Sequence, residues 1–104
     1  MAGGEVIYEV NLDVDQAIAG DYRAWLGTHV REILALPGFV SAQVFDVAEP
    51  VAPGRSAWCV HYRLRDADAL ADYLRDHAPR MREEGLRRFG GQFHASRRVL
   101  HAAD

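Results

Sequence analysis

The chain has 104 residues, 49% of them hydrophobic and 26% charged, with a net charge of −3. That apolar fraction excludes disorder, and no apolar run approaches the roughly 18 residues of a membrane span. The acidic balance gives nucleic acid no bulk electrostatic footing. A single cysteine, Cys59, excludes an internal disulfide framework, and residues 1–104 have the length of one domain. Residues 1–6 have neither a basic start nor an apolar core, so no secretory signal is expected, and a reducing cytoplasm is the simplest setting.

Residues 5–13 alternate strictly, with Val6, Tyr8, Val10 and Leu12 on one side and Ile7, Glu9 and Asn11 on the other. This is the period of a strand with one apolar face. Residues 15–20 read as a turn or a first helical turn. From Tyr22 the spacing changes to threes and fours (Tyr22, Trp25, Leu26, His29, Val30, Ile33, Leu34), with Asp21 placed to cap a helix. Pro37-Gly38 ends it.

Residues 39–47 alternate again, with Val40, Ala42 and Val44 opposite Phe39, Ser41, Gln43 and Phe45. Pro50, Pro53 and Gly54 then mark a hairpin loop. A third strand spans 57–64, with Trp58, Val60, Tyr62 and Leu64 facing away from Cys59, His61 and Arg63. Asp66 caps a second helix whose stripe is Leu70, Tyr73, Leu74, His77, Ala78 and Met81. Pro79 lacks an amide hydrogen and crowds the turn before it, so this helix kinks or restarts there. Gly90-Gly91 closes the segment, and residues 92–100 form the last strand.

The order is strand, helix, strand, strand, helix, strand. Two helices cannot cover both faces of a four-stranded sheet, so they share one. Right-handed crossovers then predict a ferredoxin-like α+β fold, an antiparallel sheet in the order 4-1-3-2. Parity sorts the strand residues into two sets. The helix-facing set is mostly apolar: Val6, Tyr8, Val10, Leu12, Val40, Val44, Trp58, Val60, Tyr62, Phe93 and Val99. The other mixes Ile7, Phe45 and Leu100 with Glu9, Asn11, His61, Arg63, His94 and Arg98. Such a face suits a homodimer interface or a partly enclosed cavity better than open water.

The stretch HAPRMREEGLRRFGGQF at 77–93, followed by ASRRVL at 95–100, resembles the C-terminal signature of the DUF4286 family. IYEV at 7–10, Trp25-Leu26 and His29-Val30 fit the same family. The resemblance covers almost the whole chain and implies a dimeric α/β barrel, related in architecture to antibiotic-biosynthesis and haem-degrading monooxygenases. It implies no activity, because the family is uncharacterised, and the wider fold group, with oxygenases, isomerases, polyketide cyclases and haem enzymes, is a weak guide to chemistry. In monooxygenases of the group the substrate lies between helices and sheet among Trp, Asn and His. Trp58 and His77 match that pattern loosely, whereas Asn11 has the wrong parity for the same pocket and speaks against haem.

The residues able to carry chemistry fall into two groups. On the helix side, Tyr8, Trp58, Tyr62 and Arg97 share a face with His29, and His77 stands before the expected kink. They suit a pocket for an aromatic or anionic molecule, with His29 or His77 as acid or base and Tyr62 beside it. Plain packing is the bland reading of each. On the mixed face, strand order allows Glu9 to lie between His61 and His94. That set suits hydrogen bonding across an interface, a proton-transfer pair or ligand contact better than a metal, and none is expected there. Arg63 and Arg98 suit either an anion clamp or pairing with Glu9 or Asp46 of a second copy. Arg75, Arg80, Arg82, Arg87 and Arg88, interleaved with acids, read as a solvated helix or an anion patch. No phosphate loop, Ser-His-Asp order or zinc spacing occurs, and no cofactor is expected. Two functions remain: a homodimeric binding or accessory protein, and a cofactor-independent oxygenase, isomerase or cyclase using the same pocket.

Overall fold

A computed structural model describes residues 4–103; part of the leader reading of residues 1–6 lies outside them. The elements are β1 (Val6–Asp15), α1 (Ala19–Leu34), β2 (Phe39–Asp46), β3 (Arg55–Leu64), α2 (Ala67–Asp76), α3 (Ala78–Phe89) and β4 (Phe93–Leu100). Short 3₁₀ turns precede α1 and β4. The four strands form one antiparallel sheet in the order β2-β3-β1-β4, the expected order read from the other edge.

The core lies between the sheet and the helices. Val6, Tyr8, Leu12 and Val14 of β1 and Trp58, Val60, Tyr62 and Leu64 of β3 pack against Tyr22, Leu26 and Ile33 of α1 and Leu70, Tyr73 and Met81 of the later helices. Each fully buried aliphatic side chain of this set contributes about 1.5–3 kcal/mol. Tyr22 is a hub, stacked on Trp58 with ring centroids 6.2 Å apart and in closer contact with Phe89 and Phe93.

Three expectations need correction. Phe39, not Val40, faces the helices: a bulge makes Val40 the unpaired residue between Phe39↔Leu64 and Ser41↔Arg63. Phe39 packs edge-on against Tyr62 and Tyr73, while Val40 is exposed. One extra residue reverses the parity on its N-terminal side. Asp21 does not cap α1, which begins two residues earlier behind Ile18 and has no side-chain cap; Asp15 caps the preceding 3₁₀ turn instead, its carboxylate accepting from the Ala17 amide. Val99 has the predicted parity but lies on an edge strand and is exposed.

The second crossover restarts at His77, which ends α2 and precedes α3, with Pro79 in the first turn of α3. Asp66 caps α2 as its position predicts, accepting from the Ala69 amide at 2.8 Å. Gly38 adopts φ +88°, and a Cβ built there would lie 2.5 Å from that of Ala69, so the turn after α1 takes glycine on two grounds.

Candidate functional site

Between the helices and the β1–β4 side of the sheet lies a cavity of about 310 Å³. Alternation on β1 delivers Tyr8 and Val10 to its floor, and β3 delivers Val60 and Tyr62. The helical spacing of Trp25 and His29 brings both to one wall, where imidazole and indole stack with centroids 4.4 Å apart. From α3 come Arg82 and Gly85. A Cβ at Gly85 would sit 3.1 Å from Cη2 of Trp25, so the missing side chain leaves the space open.

The polar groups of the cavity are few. Arg82 donates to the Tyr8 hydroxyl at 2.9 Å, and Arg97 of β4 lines the same space. Among the described residues neither guanidinium has a carboxylate partner. Burial pushes the Tyr62 phenol well above its usual range and Tyr73 up to about 12, so both stay neutral hydroxyls. Burial also holds the His29 imidazole below its usual range, with Glu84 and Glu32 partly offsetting it. His29 Nδ1 is buried without a hydrogen-bond partner, 3.7 Å from the nearer oxygen of Glu84.

Of the helix-side candidates, the structure brings Tyr8, Tyr62, Arg97 and His29 together at this cavity. Two others do not line it. Trp58 is buried behind Tyr22, on which it stacks, and its indole N–H donates to Asp46 at 2.8 Å. His77 sits at the helix junction with Nδ1 accepting from Arg80 at 2.9 Å. His94, on the edge strand, borders the cavity although its parity belongs to the mixed face. Sequence reasoning missed Arg82. It falls within the helical arginine group, whose members disperse: Arg75 pairs with Asp72 and Asp76, Arg87 with Glu83, and Arg82 alone reaches a core hydroxyl.

The mixed face holds a second cluster, with one change of member. Glu9 lies between His61 and Arg98, while His94 stands opposite Asp13, four residues along the strand. The expected Glu9–His61–His94 set is therefore out of register. Glu9 is 4% exposed although no helix covers it. Its Oε1 accepts from Arg98 Nε at 2.6 Å and Asn11 Nδ2 at 2.9 Å, and Oε2 lies 2.9 Å from His61 Nε2. These donors, Arg98 foremost, hold its carboxyl down at about 2. Beside it, burial and the Glu9 charge push the Cys59 thiol up, away from nucleophilic use. Arg63 lies toward the end of this face and pairs loosely with Glu5 at 3.4 Å.

Comparison with known proteins agrees with the topology. The profile of DUF4286, described as a domain of unknown function, matches residues 5–103. No curated protein sequence matches the chain. Among solved structures, SnoaB, a cofactor-independent oxygenase from Streptomyces nogalater, superposes with a TM-score of 0.72 at 16% identity, covering 96% of this chain and 94% of its own. A Deinococcus radiodurans protein described provisionally as an antibiotic biosynthesis monooxygenase gives 0.72 at 14% identity, with coverages of 95% and 93%. The de novo designed protein Foldit4 gives 0.60 at 14% identity, with coverages of 95% and 99%. The likeness is one of fold: an oxygenase and a designed chain both share it. No helix among the described residues is long and apolar enough to cross a membrane.

Proposed function

The chain belongs to the DUF4286 family, and from that premise we propose that it is a small cytoplasmic homodimer whose cavity binds a planar aromatic molecule carrying an anionic group. One observation carries the reading. Arg82 and Arg97, without carboxylate partners among the described residues, line a cavity otherwise walled by aromatic rings and aliphatic side chains. An aromatic anion satisfies both features, its ring against Trp25, Tyr62 and Phe93 and its charge against the guanidinium groups. The volume lies at the low end of ligand sites, which run about 300–1,000 Å³, and favours a small ligand.

A second copy is the proposed cover for the open sheet face. Ile7, Phe45 and Leu100 supply apolar surface there, and the charge of Glu9 is already matched within the chain. The free thiol of Cys59 suits a reducing compartment.

Trp25 fluorescence tests the ligand. Titration with a panel of aromatic carboxylates and phenolates is expected to give saturable quenching by at least one member. That affinity should fall at least tenfold in Arg97→Met and in Gly85→Leu, whose side chain fills the cavity. No saturable response from the panel, or equal affinity in both variants, would overturn the reading.

The second reading, a cofactor-independent oxygenase, isomerase or cyclase, is favoured by the state of His29. A depressed imidazole is neutral at pH 7 and available as a base, with Tyr62 lining the same cavity. Consumption of a bound ligand that stops in His29→Gln would select it over simple binding.

A further inference from the structure

His29 and Glu32 stand three residues apart on α1, and therefore on one side of that helix, while α3 brings Glu84 against them. One ligand atom from each lies within 4.8 Å of the other two. The imidazole Nδ1 is buried and unpartnered, and its 3.7 Å distance to Glu84 Oε2 is too long for a hydrogen bond. Zinc bonds to nitrogen and carboxylate oxygen are about 2.0–2.2 Å, so two donors on one tetrahedral ion stand about 3.4 Å apart. The observed gap is within a few tenths of an ångström of that span. A buried nitrogen with no partner and a carboxylate at this distance are what a shared cation reconciles.

We propose that His29, Glu32 and Glu84 bind one divalent first-row transition-metal ion, zinc or a close analogue, at the rim of the cavity. The donor set selects that class: one imidazole and two carboxylates suit Zn²⁺, Mn²⁺ or Fe²⁺, whereas an all-oxygen set suits Mg²⁺ or Ca²⁺. Two carboxylates face the imidazole against one nearby guanidinium, Arg97, so the local field favours a cation. Three protein donors leave a coordination position for water. The inference stands on these side chains alone and holds whether or not the cavity takes an aromatic anion.

A rival donor set, Glu9, Cys59 and His61 on the open sheet face, is less suited. Both Glu9 oxygens already have partners, and the Arg98 guanidinium occupies the place of a cation.

The test uses untagged full-length protein stripped with a chelator, and Zn²⁺ measured in competition with a chromophoric chelator. One ion per chain with micromolar or tighter affinity is expected. Glu32→Gln and Glu84→Gln should each weaken it by roughly tenfold or more, since even groups that only orient metal ligands are worth 10–100-fold. Glu83→Gln, which removes only the surface partner of Arg87, should leave it unchanged. Co²⁺ should quench Trp25, which stacks on His29, and the quenching should vanish in His29→Gln. Affinity weaker than millimolar would overturn the proposal. So would binding that survives both glutamine variants and is lost instead in Cys59→Ser. Both glutamine positions are at least partly exposed, so circular dichroism is expected to report an intact fold in those variants.

Discussion

Arg98 and Glu9 stand opposite one another on adjacent strands, Nε 2.6 Å from Oε1, on the face of the sheet that the helices leave open. With Asn11 and His61 they turn a carboxylate that no helix shields into one of the least exposed groups of the chain. The folded carboxyl sits near 2 against 4.5 for a free glutamate, so its contribution is present above pH 4.5 and disappears as pH falls toward 2. The shift corresponds to at most roughly 3 kcal/mol. Urea midpoints of the wild type should therefore fall more steeply between pH 4.5 and 2.5 than those of Glu9→Gln. Parallel pH profiles would show that the cluster contributes nothing.

If the open face is where two copies meet, reversing its chemistry should part them. His61→Asp places a second acid beside Glu9, and Cys59→Arg adds bulk and charge next to it. The wild type is expected to be dimeric by light scattering at micromolar concentration, and the double variant monomeric. A dimer that persists would put the interface elsewhere.

The two glycines with the most positive φ separate backbone strain from collision. At Gly54, φ +76°, a Cβ would meet nothing within 4 Å, so Gly54→Ala should cost only the left-handed backbone penalty of about 1–2 kcal/mol. At Gly38 the added methyl also meets Ala69, and overpacking raises the cost by a further 1–3 kcal/mol or so. Denaturant unfolding of the two variants should rank them in that order. Equal losses would mean that the turn after α1 yields to make room.

Trp58 is held by Asp46 from the neighbouring strand. Asp46→Leu leaves the buried indole N–H unpaired and is expected to cost about 1–3 kcal/mol. Asp46→Leu combined with Trp58→Phe should cost less than the sum of the two single changes, because the orphaned donor is gone. Strict additivity would mean that the bond contributes nothing to stability.

Most of the fold follows from alternation, and the exceptions are instructive. The parity of Val6 through Leu12 and of Trp58 through Leu64 can be read directly, because the charged residues of each strand all fall on one side. Phe39 and Val40 escape that rule because two adjacent apolar residues give no sign of a bulge. Parity places His94 and Arg98 on the same face but leaves open which of them meets Glu9; hairpin geometry and pairing decide that. Trp58 and His77 carried plausible chemistry by residue type. Their positions behind Tyr22 and at a helix junction depend on packing that no local pattern records. Arg82 was hidden for the same reason, since among helical arginines nothing in the order of residues singles out the one whose turn faces Tyr8.

The central strand β1 has a different job on each side: Tyr8 and Val10 floor a cavity, while Glu9 and Asn11 build a closed polar knot. Many half-buried strands have one indifferent side, and a slipped register there harms only the other. Here a slip of one position would push a carboxylate among aromatic rings and expose a core tyrosine at the same step. Between Val6 and Val14 the chain should therefore accept exchange of one side chain for another far more readily than the gain or loss of a single residue.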